Sequence, residues 1–224
     1  MELYIDNFGS VQRLVEIHVK QTGSGPGRRI NVDVLNKSAI VLLAACWEAF
    51  VEDLALAAFA ILLDNSEDYS RLPGRVLTQV ANRIKKDDHH HAVWRLAGDG
   101  WRAVLTDYRD AQLTQHVRKF NTPGTAQVDD LFSFLLGLED LSTCWHWRGV
   151  SRGQAVRQLK EFIELRGEIA HRVATSRPVR KADVMSYVNL INRLVIATHQ
   201  AVAAHLYALV KQRPWAGYFI PRAS

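Results

Sequence analysis

The sequence predicts an all-α fold. Apolar residues recur at three- and four-residue steps through long stretches, and clusters of Gly, Pro, Asn and Asp divide those stretches into blocks. No alternating apolar and polar stretch is long enough to compete as a strand, and no repeat period is present. A chain of 224 residues can bury a sizeable interior by itself, so a single helical domain spanning 1–224 is expected.

Residues 1–20 mix Glu2, Asp6, Arg13, Glu16 and Lys20 among apolar positions, the pattern of an amphipathic helix and not of a signal peptide with its apolar centre. The run Gly23-Ser24-Gly25-Pro26-Gly27 makes a loop. Over 34–63, Ala44, Trp47, Val51, Leu54, Ala58 and Ile61 recur at helical steps, which predicts a long buried helix as the central strut. Asp64-Asn65-Ser66 stop it. Pro73-Gly74 precede a shorter helix over 75–86, and Asp87-Asp88 are placed to cap a third over 89–97. Gly98-Asp99-Gly100 interrupt the chain before a helix over 101–120.

Asn121-Thr122-Pro123-Gly124-Thr125 reads as a turn, and Asp129-Asp130 lead into a helix over 131–138. The segment Cys144-Trp145-His146-Trp147-Arg148-Gly149 is aromatic and irregular. From Ser151 onward Val156, Leu159, Phe162, Ile163, Ile169, Ala170 and Val173 trace one apolar helix face, ended by Thr175, Ser176 and Pro178. The final helix covers 181–211, with Val184, Val188, Ile191, Val195, Val202, Leu206 and Leu209 on its core side. A loosely ordered tail is expected over 212–224.

The longest apolar stretches are broken by Glu48, Glu52 and Asp53 and fall short of the roughly 20 residues of a bilayer span. Cys46 and Cys144 show neither metal-type nor framework spacing, so a reducing compartment, the cytoplasm, is expected, with no membrane segment and no cofactor. The formal net charge is +5, and twenty of the 28 basic residues are arginine, whose planar donor fork matches phosphate oxygens in pairs. That balance favours a polyanionic partner such as RNA, although many soluble proteins with this charge bind none.

The helix over 151–173 carries Arg166-Gly167-Glu168-Ile169-Ala170-His171. Spacing alone says little, since twenty arginines and nine histidines in 224 positions give about one Arg-x4-His pair by chance, and Arg13 with His18 is a second. Position says more. Arg166 lies four residues after Phe162, seven after Leu159 and three before Ile169, so its permanent charge stands on the apolar stripe and needs a partner. Gly167 is unexpected within a helix, where glycine costs about 1 kcal/mol against alanine, and close approach of another backbone or a ligand would explain it.

Five residues of α-helix advance the chain about 140° beyond one turn, so Arg166 and His171 do not share one narrow face. Either the helix ends near His171 or two copies of the chain face each other across a dimer axis. The residue types suit RNA cleavage without a metal. Histidine can take the proton of a 2′-hydroxyl or return one to the leaving oxygen, and arginine stabilises charge building on the phosphate. The competing explanation is structural: Arg166 pairs with a buried carboxylate such as Glu48 or Glu52, and His171 caps a helix C-terminus.

Trp47-Glu48-Ala49-Phe50-Val51-Glu52, Phe120-Asn121-Thr122-Pro123, Leu131-Phe132, Gly137-Leu138, Trp145 and above all Leu165-Arg166-Gly167-Glu168-Ile169-Ala170-His171-Arg172 together resemble the HEPN superfamily, and within it the RiboL-PSP group. The resemblance covers about residues 35–210. It implies a HEPN-like bundle with a core over about 35–211, a homodimer built through the motif-bearing helices, and metal-independent endoribonuclease activity with Arg166 and His171 as catalytic residues. It further implies a toxin or phage-defence effector restrained by an antitoxin or another regulatory protein. An acidic residue on the long central helix supports the site in this family, and Glu48 is preferred over Glu52. One departure matters: the residue after the arginine is usually Asn, Asp or His, and here it is Gly167. A non-catalytic module that binds RNA or a partner protein is the alternative, and a helical scaffold with a buried Arg166 ion pair is the third.

Other chemistry is less well supported. His89-His90-His91 would point about 100° apart on a helix and could not all reach one metal ion, so no metal site is expected. Cys144 and His146 are flanked by Trp145 and Trp147, which favours a packed aromatic turn over a nucleophile and base. His199 and His205 are expected to be core histidines. The Gly23 to Gly27 run lacks both the lysine and the preceding strand of a phosphate loop.

Overall fold

The computed structural model of the protein describes residues 33–87, 91–116, 122–172, 178–211 and 214–215. The helix read over 1–20 and the glycine loop after it lie outside them. Among the described residues there are six α-helices, three short 3-10 turns and no strand. We number the helices α1 (Asp33–Asp64), α2 (Gly74–Lys85), α3 (Gly100–His116), α4 (Thr125–Leu136), α5 (Arg152–Arg172) and α6 (Lys181–Val210). The all-α expectation holds. No described helix is long and apolar enough to cross a membrane.

Helix α1 is the strut that its periodicity predicts. Its 32 residues span about 48 Å at 1.5 Å per residue. It packs most extensively on α6 and also meets α3, α4 and α5, which is why it buries Ile40, Leu43, Trp47, Phe50, Leu54, Phe59 and Leu62. Its C-terminus is closed by side chains. Asn65 Nδ2 donates to Ile61 O at 2.8 Å, Ser66 Oγ to Leu62 O at 2.6 Å, and the Arg102 guanidinium to the carbonyls of Leu63 and Ser66 at 2.5 and 2.6 Å. The local stop was legible in sequence, whereas the cap by Arg102 from α3 comes from 36 and 39 positions away.

The segment expected to be a helix over 89–97 is, where described, a 3-10 turn over Ala92–Leu96, followed by Gly98 at φ +57. Helix α3 is described to His116, and the remainder of its predicted span lies outside the described residues. Helix α4 corrects the sequence reading more substantially. It starts at Thr125, not 131, so Asp129 and Asp130 lie inside it and do not lead into it. Burial of Val128 outweighs the acidic pair as a start signal, and the Asp129 carboxylate turns away to accept the Ser142 N–H at 2.6 Å and its hydroxyl at 2.7 Å. The helix ends at Leu136 because Gly137 takes a left-handed φ of +64, with Pro73 Cβ 2.6 Å from where a Cβ would stand.

The aromatic stretch after α4 is a core plug. Trp47 and Trp145 are both fully buried and meet edge to face at 6.1 Å. Each indole N–H has a partner: Trp47 Nε1 donates to Pro123 O at 2.8 Å and Trp145 Nε1 to Thr198 Oγ1 at 2.9 Å, which ties α1, the turn before α4 and α6 together. Helix α6 buries Val184, Ile191, Val195, Val202 and Leu206 as predicted, while Val188 and Leu209 are only partly covered. The expected loose tail is corrected at one point. Trp215 packs on the core, its ring 4.8 Å from that of His199.

Candidate functional site on the α5 motif helix

Ala155, Leu159 and Phe162 are buried along α5, and Ile163, Leu165 and Ile169 pack partly against the same core. Phe162 meets the Tyr187 ring of α6 at 5.2 Å. This anchors the turn that presents Arg166. Arg166, Gly167 and Glu168 are half-buried, and His171 is exposed. Helix α5 is described to Arg172, one residue beyond His171.

Arg166 neither sits freely in solvent nor closes an ion pair. Its Nε is buried without a hydrogen-bond partner, and among the described residues no carboxylate lies within ion-pair distance of it. Its charge is nevertheless felt across the α1–α5 contact at Glu48. Burial pushes the Glu48 carboxyl above its ordinary range, Arg166 pulls it back, and Glu52, one turn further along α1, pushes it up again. The structure therefore brings Arg166 and Glu48 into one electrostatic unit with Glu52 beside it, and leaves His171 at the rim.

Glu48 supplies a stability test with a definite sign. Its raised folded-state pKa means that the folded chain holds this proton more tightly than the unfolded chain, so its contribution becomes unfavourable as pH rises through the window just above the usual glutamate range. Glu48→Gln removes that penalty. The variant should melt higher than the wild type at pH 7, with the gap closing towards pH 4, in thermal scans at matched ionic strength. A lower melting temperature at pH 7 would show that attraction to Arg166 outweighs the desolvation of Glu48.

A Cβ built at Gly167 meets nothing within 4 Å among the described residues, so no close approach within them requires the glycine. Gly167→Ala should then stabilise the folded chain by about 1 kcal/mol through helix propensity, measured by urea denaturation. A variant that instead loses self-association would place a second backbone against this position.

Two polar residues near the motif were missed from sequence. The backbone of Val179, in the stretch between α5 and α6, is gripped on both sides. Asn36 Nδ2 donates to its carbonyl at 2.8 Å, and its N–H donates to Asp33 Oδ1 at 3.2 Å. Asn36 is buried, and the available signal was a polar residue standing one turn before Ile40 on the core stripe of α1.

The other chemistry considered does not assemble. Among the described residues no three His, Cys, Asp or Glu side chains converge as metal ligands; His91 is exposed, and His89 and His90 lie outside those residues. Burial pushes the Cys144 thiol up to about 11, the opposite of what a thiolate nucleophile needs, and the nearby His146 Nδ1 lies 3.1 Å from Thr143 O. His205 Nε2 lies 2.9 Å from Leu136 O, as a core histidine should. Burial lowers the pKa of His199.

A family model described as RiboL-PSP-HEPN matches residues 6–204, nearly the whole chain. The chain belongs to the RiboL-PSP-HEPN family. The match starts well before residue 35, so the HEPN domain takes in the N-terminal stretch that the sequence resemblance left out, and it ends inside α6. Comparison with curated proteins and with solved structures returns no match. Membership of this HEPN family makes an RNA-related function, including RNA cleavage, the natural frame for the Arg166 site.

Proposed function

We propose that this HEPN protein is a homodimeric endoribonuclease in which His171 transfers protons and Arg166 stabilises the scissile phosphate. The observation that carries the reading is the state of Arg166: half-buried, with an unsatisfied Nε–H, and in the electrostatic range of Glu48 with no ion pair to neutralise it among the described residues. A buried donor with no acceptor is costly in a structural role and serves a site that receives an anion.

In the proposed reaction the 2′-hydroxyl of RNA loses its proton to an imidazole, the 2′-oxygen attacks phosphorus, and the bond to the 5′-oxygen breaks as that oxygen gains a proton. The products are a 2′,3′-cyclic phosphate and a 5′-hydroxyl end. RNA carries its own nucleophile, so the protein supplies proton transfer and charge stabilisation, and the proposal assigns no metal a role. Glu48 tempers the charge of Arg166 through its field.

The homodimer is supported by one face of α1. Val34, Ser38, Val41 and Ala45 are exposed on the side of the helix that also carries Glu48 and Glu52. Val34 is 68% and Val41 37% exposed, an uncharged strip leading to the Arg166 site that a second copy would cover. A toxin or phage-defence role under an antitoxin-like regulator, in the cytoplasm, belongs to the same proposal. Gly167 in place of the family's usual polar residue favours a second reading, a non-catalytic module that binds RNA or a partner protein.

Incubating the chain in EDTA with a labelled RNA, and with the same RNA bearing a single 2′-deoxy at the cut position, tests the reading. Cyclic-phosphate products from the first only, made by a species sedimenting as a dimer, are expected. A dimer that binds RNA but leaves it intact would hand the case to the non-catalytic module.

A further inference from the structure

The turn over Ala92–Leu96 displays a Trp that the fold does not use. Trp94 is 72% exposed, beside Val93 at 58% and Leu96 at 37%, whereas the indoles at 47, 101 and 145 are buried and those at 147 and 215 partly buried. The turn is held firmly beneath it. Ala92 is buried, the Trp94 N–H donates to His91 O at 3.0 Å, the Ala97 N–H to Trp94 O at 3.1 Å, and Arg95 pairs with Asp107 of α3. A large flat apolar ring exposed to water on a held turn can serve as a stacking platform.

The helix that the turn packs on carries cations at its end. The turn packs on α2, whose last turn ends in Arg83 and Lys85 with Lys86 following, all exposed and, among the described residues, without an ion pair. Ala92 is six positions after Lys86, so the two lie at most about 20 Å apart. Asp107 is engaged by Arg95, and Asp87 has a partner of its own. A protruding indole beside unpaired cations matches a base joined to its phosphates.

We infer that the 92–96 turn and the end of α2 form a second, non-catalytic contact for single-stranded RNA, with a base stacked on Trp94 and phosphates on Arg83, Lys85 and Lys86. This rests on the RNA reading of the Arg166 site and extends it. Gly100, at the start of α3, abuts the turn through Arg95 O, and Arg102 binds the C-terminus of α1. That end of α1 is 15 residues beyond Glu48, about 22 Å along the helix. The platform thus holds a flanking stretch of strand, not the bond being cut.

The test measures anisotropy of a fluorescein-labelled 2′-O-methyl RNA 20-mer, which the proposed reaction cannot cleave, on the full chain. Trp94→Ala should weaken binding about tenfold or more, and Trp94→Phe should largely restore it. Replacing Arg83, Lys85 and Lys86 together by alanine should flatten the salt dependence by about 2 in log–log slope. Trp94→Ala should also raise KM for a long RNA while leaving cleavage of a dinucleotide unchanged. If the chain proves not to be a nuclease, the binding measurements still decide the matter. Unaltered binding by Trp94→Ala, with its melting temperature preserved, overturns the proposal. So does a wild type that ignores the oligonucleotide, which would leave this surface to an apolar protein partner.

Discussion

His171→Ala should lower the rate of RNA cleavage by about 10²- to 10⁴-fold, the usual contribution of a positioned proton-transfer group, with the fold unchanged. The fold is expected to survive because His171 is exposed and covers no core. Arg166→Ala should cost about 10²- to 10³-fold through loss of charge stabilisation at the phosphate. It should also push the Glu48 carboxyl further up, since Arg166 is the influence holding it down. Arg166→Lys is therefore the sharper variant: it keeps the charge that Glu48 feels but removes the planar fork, so it should hold stability while losing rate. Because the two residues act as one unit, the double variant should be scarcely slower than the worse single one. Rates within about twofold of wild type in either alanine variant, assayed as a dimer, would leave Arg166 and His171 without a catalytic role.

The largest loss of stability should come from Trp145→Ala, about 3–5 kcal/mol by urea denaturation. Trp145 is fully buried, meets Trp47 edge to face and donates to Thr198 Oγ1, a buried hydroxyl on α6. Truncation opens a cavity at the junction of α1 and α6 and removes the hydrogen-bond partner of Thr198. Against a typical domain stability of about 5–15 kcal/mol, that loss is a large fraction of the total. Trp145→Phe should recover roughly half of it by refilling volume without restoring the hydrogen bond. A loss below about 1 kcal/mol would mean that the irregular segment after α4 is not the plug described here.

Much of the architecture was legible before the structure, for a definite reason. Helices α1 and α6 carry apolar residues at helical steps for most of their length, so period alone places them to within a residue or two at each end. Short elements were less legible. The start of α4 was misplaced because Asp129 and Asp130 resemble a cap, while what decides that start is the burial of Val128 in a core made by other helices. The 92–96 turn was read as α-helix because acids before an apolar run are a valid local signal that the following tertiary context overruled.

For the site, the sequence by itself determined the all-α class, the two long helices and the motif that holds Arg166 and His171. Only the tertiary structure decided that Arg166 meets Glu48 through its field without an ion pair, that Gly167 faces open space, that Val179 is gripped by Asp33 and Asn36, and that Trp94 stands proud of the surface. The physical reason is range. Helix periodicity, caps and breakers act over a few residues of chain, whereas burial and the field at a carboxylate are set by whichever groups folding brings close, here from α5 to α1, more than a hundred positions apart.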